Sequence, residues 1–208
     1  MENLEKSNLI KLTEIIAIVP AVAIAIGVVY KISFYSSDEI NAPWLVSLFS
    51  PVDFMLAKLQ IYVYYLGAAL YISKVFDSGY SKITEFLVQL GSLSIIGAFF
   101  YFFKGIGGQV FLFTIASFIA FYLLFFHNIV AKVFGLMIIF FIPWYMGGND
   151  SKVQKIENLP RAILEKADLG SQWFLLDKYS DKAILIKKSN DKNNFKVVEI
   201  KDISYIEN

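Results

Sequence analysis

The amino-acid sequence predicts an all-α membrane bundle of four or five transmembrane helices, followed by a small C-terminal antiparallel β domain of SH3-like or meander type. Three observations carry that expectation. The 208 residues are 57% hydrophobic and 17% aromatic, above the roughly 45–50% apolar content of ordinary globular domains. Between Glu85 and Tyr145 the only charged or basic side chains are Lys104, His127 and Lys132, and about 20 apolar residues let a helix cross a bilayer. Charge is also segregated: residues 1–147 hold eight Lys and eight acidic side chains, whereas residues 148–208 hold eleven Lys or Arg and ten acidic ones. The expected boundary therefore lies at Gly147–Gly148, with a transmembrane helical domain over 1–147 and a water-exposed β domain over 148–208.

The first expected span covers residues 15–34. It resembles a secretory signal in length, but Tyr30, Phe34 and Tyr35 stand where a small-residue cleavage site would be. Ala17, Ala21 and Ala25 recur every four residues, with Gly27 nearby; small residues at this spacing allow two helix backbones to approach closely. Pro20 is expected to kink the helix. The loop Ser36–Ser50 carries Asp38 and Glu39 but no Lys or Arg, and its Trp44 fits an interfacial anchor. Ser50-Pro51-Val52-Asp53 reads as a helix start, with Ser as cap, Pro in the first turn and an acid favoured by the helix dipole. The second span is expected over 54–72, where Lys58 either snorkels to the interface or is buried for function.

The third span is expected over 86–103, with Gly91, Ser94 and Ala98 forming a small-residue packing face. Lys104-Gly-Ile-Gly-Gly is a turn rather than a phosphate loop, because no GK[ST] follows. The fourth span is expected over 110–126. His127-Asn128 ends it, and residues 129–146 form a fifth apolar segment, short for a crossing, with Trp144 and Tyr145 as interfacial anchors at its end. The acid-bearing first loop and Lys74 and Lys82 in the second place the N-terminus inside. Four true spans then leave the C-terminal domain cytoplasmic; five would place it outside. Within that domain, Leu159-Pro160-Arg161 is expected to start a short helix ending by Gly170. Strands are expected at Gln172–Leu176, Ala183–Lys188, Phe195–Ile200 and Ser204–Ile206, separated by polar turns. So small a core is expected to dock on other protein surface.

Chemistry is sparse. No Cys is present, His127 is the sole histidine, and neither HExxH nor a mid-span carboxylate pair occurs. No catalytic, cofactor-binding or metal-ligating residue is therefore expected, and no cofactor. A net charge of +1 gives no electrostatic footprint for nucleic acid. The ionisable groups lie near span ends rather than at mid-span, which weighs against a pore within one subunit. A channel at an oligomer axis, and a transporter accessory subunit, are the alternatives.

The order Tyr30, Tyr35, Pro43-Trp44, Ser50-Pro51, Asp53, a multi-span region ending in Gly147-Gly148, and then WFLLDKYSDKAILIKK resembles small bacterial membrane proteins of anti-phage defence systems. The membrane component of the Kiwa system is one such protein. The resemblance implies a non-enzymatic, homo-oligomeric sensor or scaffold of the inner membrane. Its partners would be the lipid bilayer, copies of itself and a soluble cytoplasmic protein docking on 148–208.

Overall fold

The computed structural model describes residues 2–77, 87, 91, 108–125, 128–154, 156–164, 172–189 and 192–207. Of residues 2–18, 73–77, 108 and 110 it describes the backbone alone. The described helices are α1 (Glu2–Tyr35), α2 (Pro51–Leu56), α3 (Leu59–Asp77), α4 (Gly108–Leu124) and α5 (Ile129–Val153), with a 3-10 helix at Pro43–Leu48. A five-stranded antiparallel sheet follows: β1 (Arg161–Leu164), β2 (Trp173–Tyr179), β3 (Lys182–Ser189), β4 (Lys192–Glu199) and β5 (Ile203–Glu207), in the order β4-β3-β2-β1-β5.

This is not a bundle of four or five spans. Among the described residues only α5 is both long and apolar enough to cross a bilayer. The other apolar helical stretches, Val19–Tyr35, Leu59–Ile72 and Phe111–Leu124, are shorter. The reasons differ by segment. In the first, Tyr30, Lys31, Ser33, Phe34 and Tyr35 are buried within protein, so the apolar end of α1 is core rather than lipid-facing surface. The second is broken by a turn at Ala57–Lys58, which leaves α3 to begin at Leu59. The fourth gives a helix of 17 residues, about 26 Å at 1.5 Å per residue, against a hydrocarbon core of about 30 Å. Of the expected third span only Leu87 and Gly91 are described, both helical; Ser94, Ala98 and the His127 position lie outside the described residues.

The segment that looked too short is the longest of the apolar ones. α5 starts where the Asn128 side chain accepts the Val130 N–H at 2.9 Å, satisfying one of the donors that a helix start leaves open. It then runs 25 residues, through Gly147 and Gly148 where the domain boundary was expected.

The chain divides into two compact units, and the division does not follow chain order: residues 58–143 form one, and 1–57 with 144–208 the other. In the first, Ala68 and Ile72 of α3 pack with Phe118 and Tyr122 of α4. Pro143 lies inside α5 and has no N–H to give the carbonyl of Ile139, four residues earlier. The hydroxyl of Tyr65 donates to that carbonyl instead.

The second unit is built around the sheet. Glu199 and Ile203 are four residues apart, a reach of at most about 14 Å, yet their strands occupy opposite edges. A flat sheet would separate those edges by about 19 Å. The sheet must therefore curl, and the 3-10 turn Ile200–Asp202 closes the gap. Its inner face holds Ala162, Ala183 and Leu185, joined by Leu164, Trp173, Leu175, Val198 and Ile203, so every strand contributes. Its outer face presents Leu176, Tyr179, Ile184 and Ile186 to Phe34 and Tyr35 of α1 and to Ile40, Ala42, Leu45 and Phe49. Covering both faces explains why Ala183-Ile184-Leu185-Ile186 are all fully buried instead of alternating.

One expected element changes type. Arg161–Leu164, expected in a helix, is a central strand pairing with β2 at Ala162↔Trp173 and with β5 at Ala162↔Ile206. Pairing on both edges and burial of Ala162 outweigh the weak helix-start pattern at Pro160.

Candidate functional site

The most distinctive polar cluster forms where α1 meets the sheet. It depends on one irregularity in β2. Leu175 lies opposite Leu185, and regular pairing would set Asp177 opposite Ala183, on the inner face. The register instead slips, and Asp177 lies opposite Ile184. Leu176 is the extra residue, a β-bulge, and it turns Asp177 onto the face that α1 covers.

There the Asp177 carboxylate accepts from three donors. Oδ2 takes the Lys31 ammonium and the Tyr35 hydroxyl at 2.6 Å, and Oδ1 takes the Lys178 N–H at 2.8 Å. The side chains of Lys31 and Asp177 are 8% and 20% exposed, so the pair is largely withdrawn from water. The ammonium also lies 4.4 Å from the Phe49 ring centre, within cation–π range. Burial first, and then the Asp177 charge, push the Tyr35 hydroxyl well above its ordinary range. One turn earlier, Tyr30 donates to Asp150 Oδ2 at 2.8 Å and is raised in the same sense by burial and by Asp150.

A second carboxylate completes the rim. Asp53 accepts Ser50 N–H at 2.8 Å and Ser50 Oγ at 2.6 Å, while Asp53 N–H donates back to Ser50 Oγ at 3.3 Å, a capping box. Its Oδ1 accepts the Ser180 N–H at 3.3 Å, in the hairpin turn where Ser180 adopts a positive φ of 48°. Partial burial opposes ionisation of Asp53, but the Ser50 and Ser180 hydrogen bonds and the Lys31 charge hold its carboxyl below the ordinary range. Lys31, Asp53, Asp177 and Ser180 together line a cavity of about 220 Å³.

Chemically this is a lock. The carboxylate is held by three donors from its own chain, and Lys31 is committed to it. Among the described residues, no group of three His, Cys, Asp or Glu side chains is placed to hold a metal ion.

The residues singled out in the sequence are dispersed. Ala21 is exposed and Ala25 half-buried, while Gly27 is buried against the Phe54 carbonyl of α2; of Ala17 only the backbone is described. Gly91 is exposed and helical. Trp44 is exposed and meets Phe195 edge-on, with ring centres 6.2 Å apart. Trp144 and Tyr145 are exposed on α5, and the Trp144 carbonyl accepts from Ser33 Oγ at 2.5 Å. Lys31 and Asp177 were not singled out. Their signal was mutual: one lone cation in an apolar helix and one lone acid in an apolar strand, each requiring a counter-charge if buried.

Comparison with protein families, curated proteins and solved structures finds no match.

Proposed function

We propose that this chain is a non-enzymatic, membrane-attached scaffold or sensor, held in the bilayer by α5. The observation that supports this is the exposure of α5 itself. Its most apolar window has a mean hydropathy of 2.0, yet only 28% of that window is buried in the fold, whereas a core helix of a soluble protein is mostly covered. Val133, Phe134, Leu136, Met137 and Phe141 face outward, and Lys132 is placed to snorkel. The last two turns of the same helix are built into the sheet unit, through Asp150 and through Gly147, which abuts the Tyr30 carbonyl. A helix fixed in lipid at one end and in a folded domain at the other passes position or strain between them. The sequence resemblance suggests the setting, bacterial anti-phage defence, with a homo-oligomer and a cytoplasmic partner.

The test is fractionation of cells expressing the full chain, followed by phage challenge. The protein should pellet with membranes, resist salt and urea washes, and be released by V133K/M137K. Deleting the gene should lower phage protection. Recovery of wild-type protein in the soluble fraction would overturn the membrane reading, and unchanged protection the defence role.

A further inference from the structure

Two adjoining cavities, of about 460 and 720 Å³, share Asp38 and Lys152; both fall in the size range of small-ligand sites, roughly 300–1,000 Å³. The first is bounded by Ile32, Trp144 and Tyr145. The second continues to Lys187 and Lys188 of β3 and to Glu39 and Glu157. Lys152 follows Trp144 by eight residues on one helix, about 12 Å of rise. If Trp144 and Tyr145 mark the edge of the hydrocarbon, as interfacial aromatics do, the groove lies at headgroup depth.

Its charge pattern is unusual. Three lysines (Lys152, Lys187, Lys188) and three acids (Asp38, Glu39, Glu157) line it. None of the six makes an ion pair, and the ion pairs among the described residues all lie elsewhere. A purely anionic ligand would meet the carboxylates, and a purely cationic one the lysines. A ligand carrying both charges satisfies both sets. We propose that the groove takes the headgroup of a phosphoethanolamine lipid, with the phosphate on the lysines, the ammonium on the carboxylates and the acyl chains leaving past Ile32 and Tyr145. An ammonium has three N–H donors for those carboxylates, which a trimethylated headgroup lacks. The inference rests on the membrane reading above.

The experiment uses the full chain in detergent micelles, equilibrated with equal amounts of phosphatidylethanolamine, phosphatidylglycerol and phosphatidylcholine, with retained lipid read by native mass spectrometry. Phosphatidylethanolamine should be retained about tenfold over either other lipid. K152A/K188A and E39Q/E157Q should each abolish that preference with the melting temperature unchanged. Equal retention of the three lipids, or an unaltered preference in both variants, overturns the proposal. Water-soluble glycerophosphoethanolamine competing as well as the lipid would also overturn it, since the ligand would then be a free metabolite. A protein that pellets with membranes but shows no lipid preference sinks this inference alone; one found in the soluble fraction sinks the membrane reading first.

Discussion

Lys31 carries the only cation in the last turns of α1, and its burial makes the Asp177 contact obligatory. Removing one member of a largely buried pair leaves the other charge uncompensated, a cost of about 3–5 kcal/mol when burial is complete. Asp177 keeps a fifth of its exposure, so K31M should cost less, about 2–4 kcal/mol. K31M/D177N, which removes both charges and leaves the Tyr35 hydroxyl an acceptor, should be more stable than K31M alone. Chemical denaturation of the single and double variants measures that coupling. A double variant no better than K31M would show that the charges do not act as a pair. Tyr35 adds a pH signature. Its hydroxyl is raised in the fold and ionises near pH 10 once unfolded. Its stabilisation is therefore complete below about pH 10 and is lost as pH climbs above that value. Above about pH 10, Y35F should lower the downward slope of stability against pH by about 1.4 kcal/mol per unit. Equal slopes in wild type and variant would count against it.

At the scale of elements, α1 and α5 meet at a glycine. A Cβ at Gly147 would collide with the Tyr30 carbonyl and come within 3.0 Å of the Phe34 nitrogen, both backbone atoms of α1 that cannot swing aside. G147A should therefore destabilise by about 1–3 kcal/mol, as overpacking does. Gly67, also helical, has nothing within 4 Å of the same position. G67A should be neutral or stabilise by up to about 1 kcal/mol, the helix-propensity gain of Ala over Gly. Thermal melts of the two variants compare them directly, and similar shifts for both would contradict the close approach of α1 and α5. The β2 bulge is another device at this scale. It costs one ladder pairing and places a carboxylate on the helix-facing side, which no uninterrupted strand could do at that position.

For the molecule as a whole, the sheet is a partner to its own N-terminal region. Phe34, Tyr35, Ile40, Leu45 and Phe49 are buried largely against strands more than a hundred residues away in sequence. A chain truncated before Arg161 should expose that surface, become protease-sensitive between residues 36 and 50, and aggregate. Limited proteolysis of truncated and full-length protein decides this, and equal resistance in that segment would show that residues 1–57 fold without the sheet.

The strands at Trp173–Tyr179, Lys182–Ser189 and Lys192–Glu199 could be read from β-branched and aromatic runs between polar turns, because strand pattern and hairpin chemistry are local properties. The helix start at Ser50-Pro51 was legible for the same reason. Apolar composition likewise marked where burial must occur, but it is silent on what does the burying, since lipid and protein core select the same side chains. Only tertiary structure decided that the end of α1 is covered by a sheet, that Ile129–Val153 continues as one helix past the glycines, and that Arg161–Leu164 is a strand held on both edges. It alone brought Lys31 to Asp177, across 146 positions. A buried charge announces in sequence that it needs a partner; which partner depends on a register slip of one residue, and that is settled only when the strands pair.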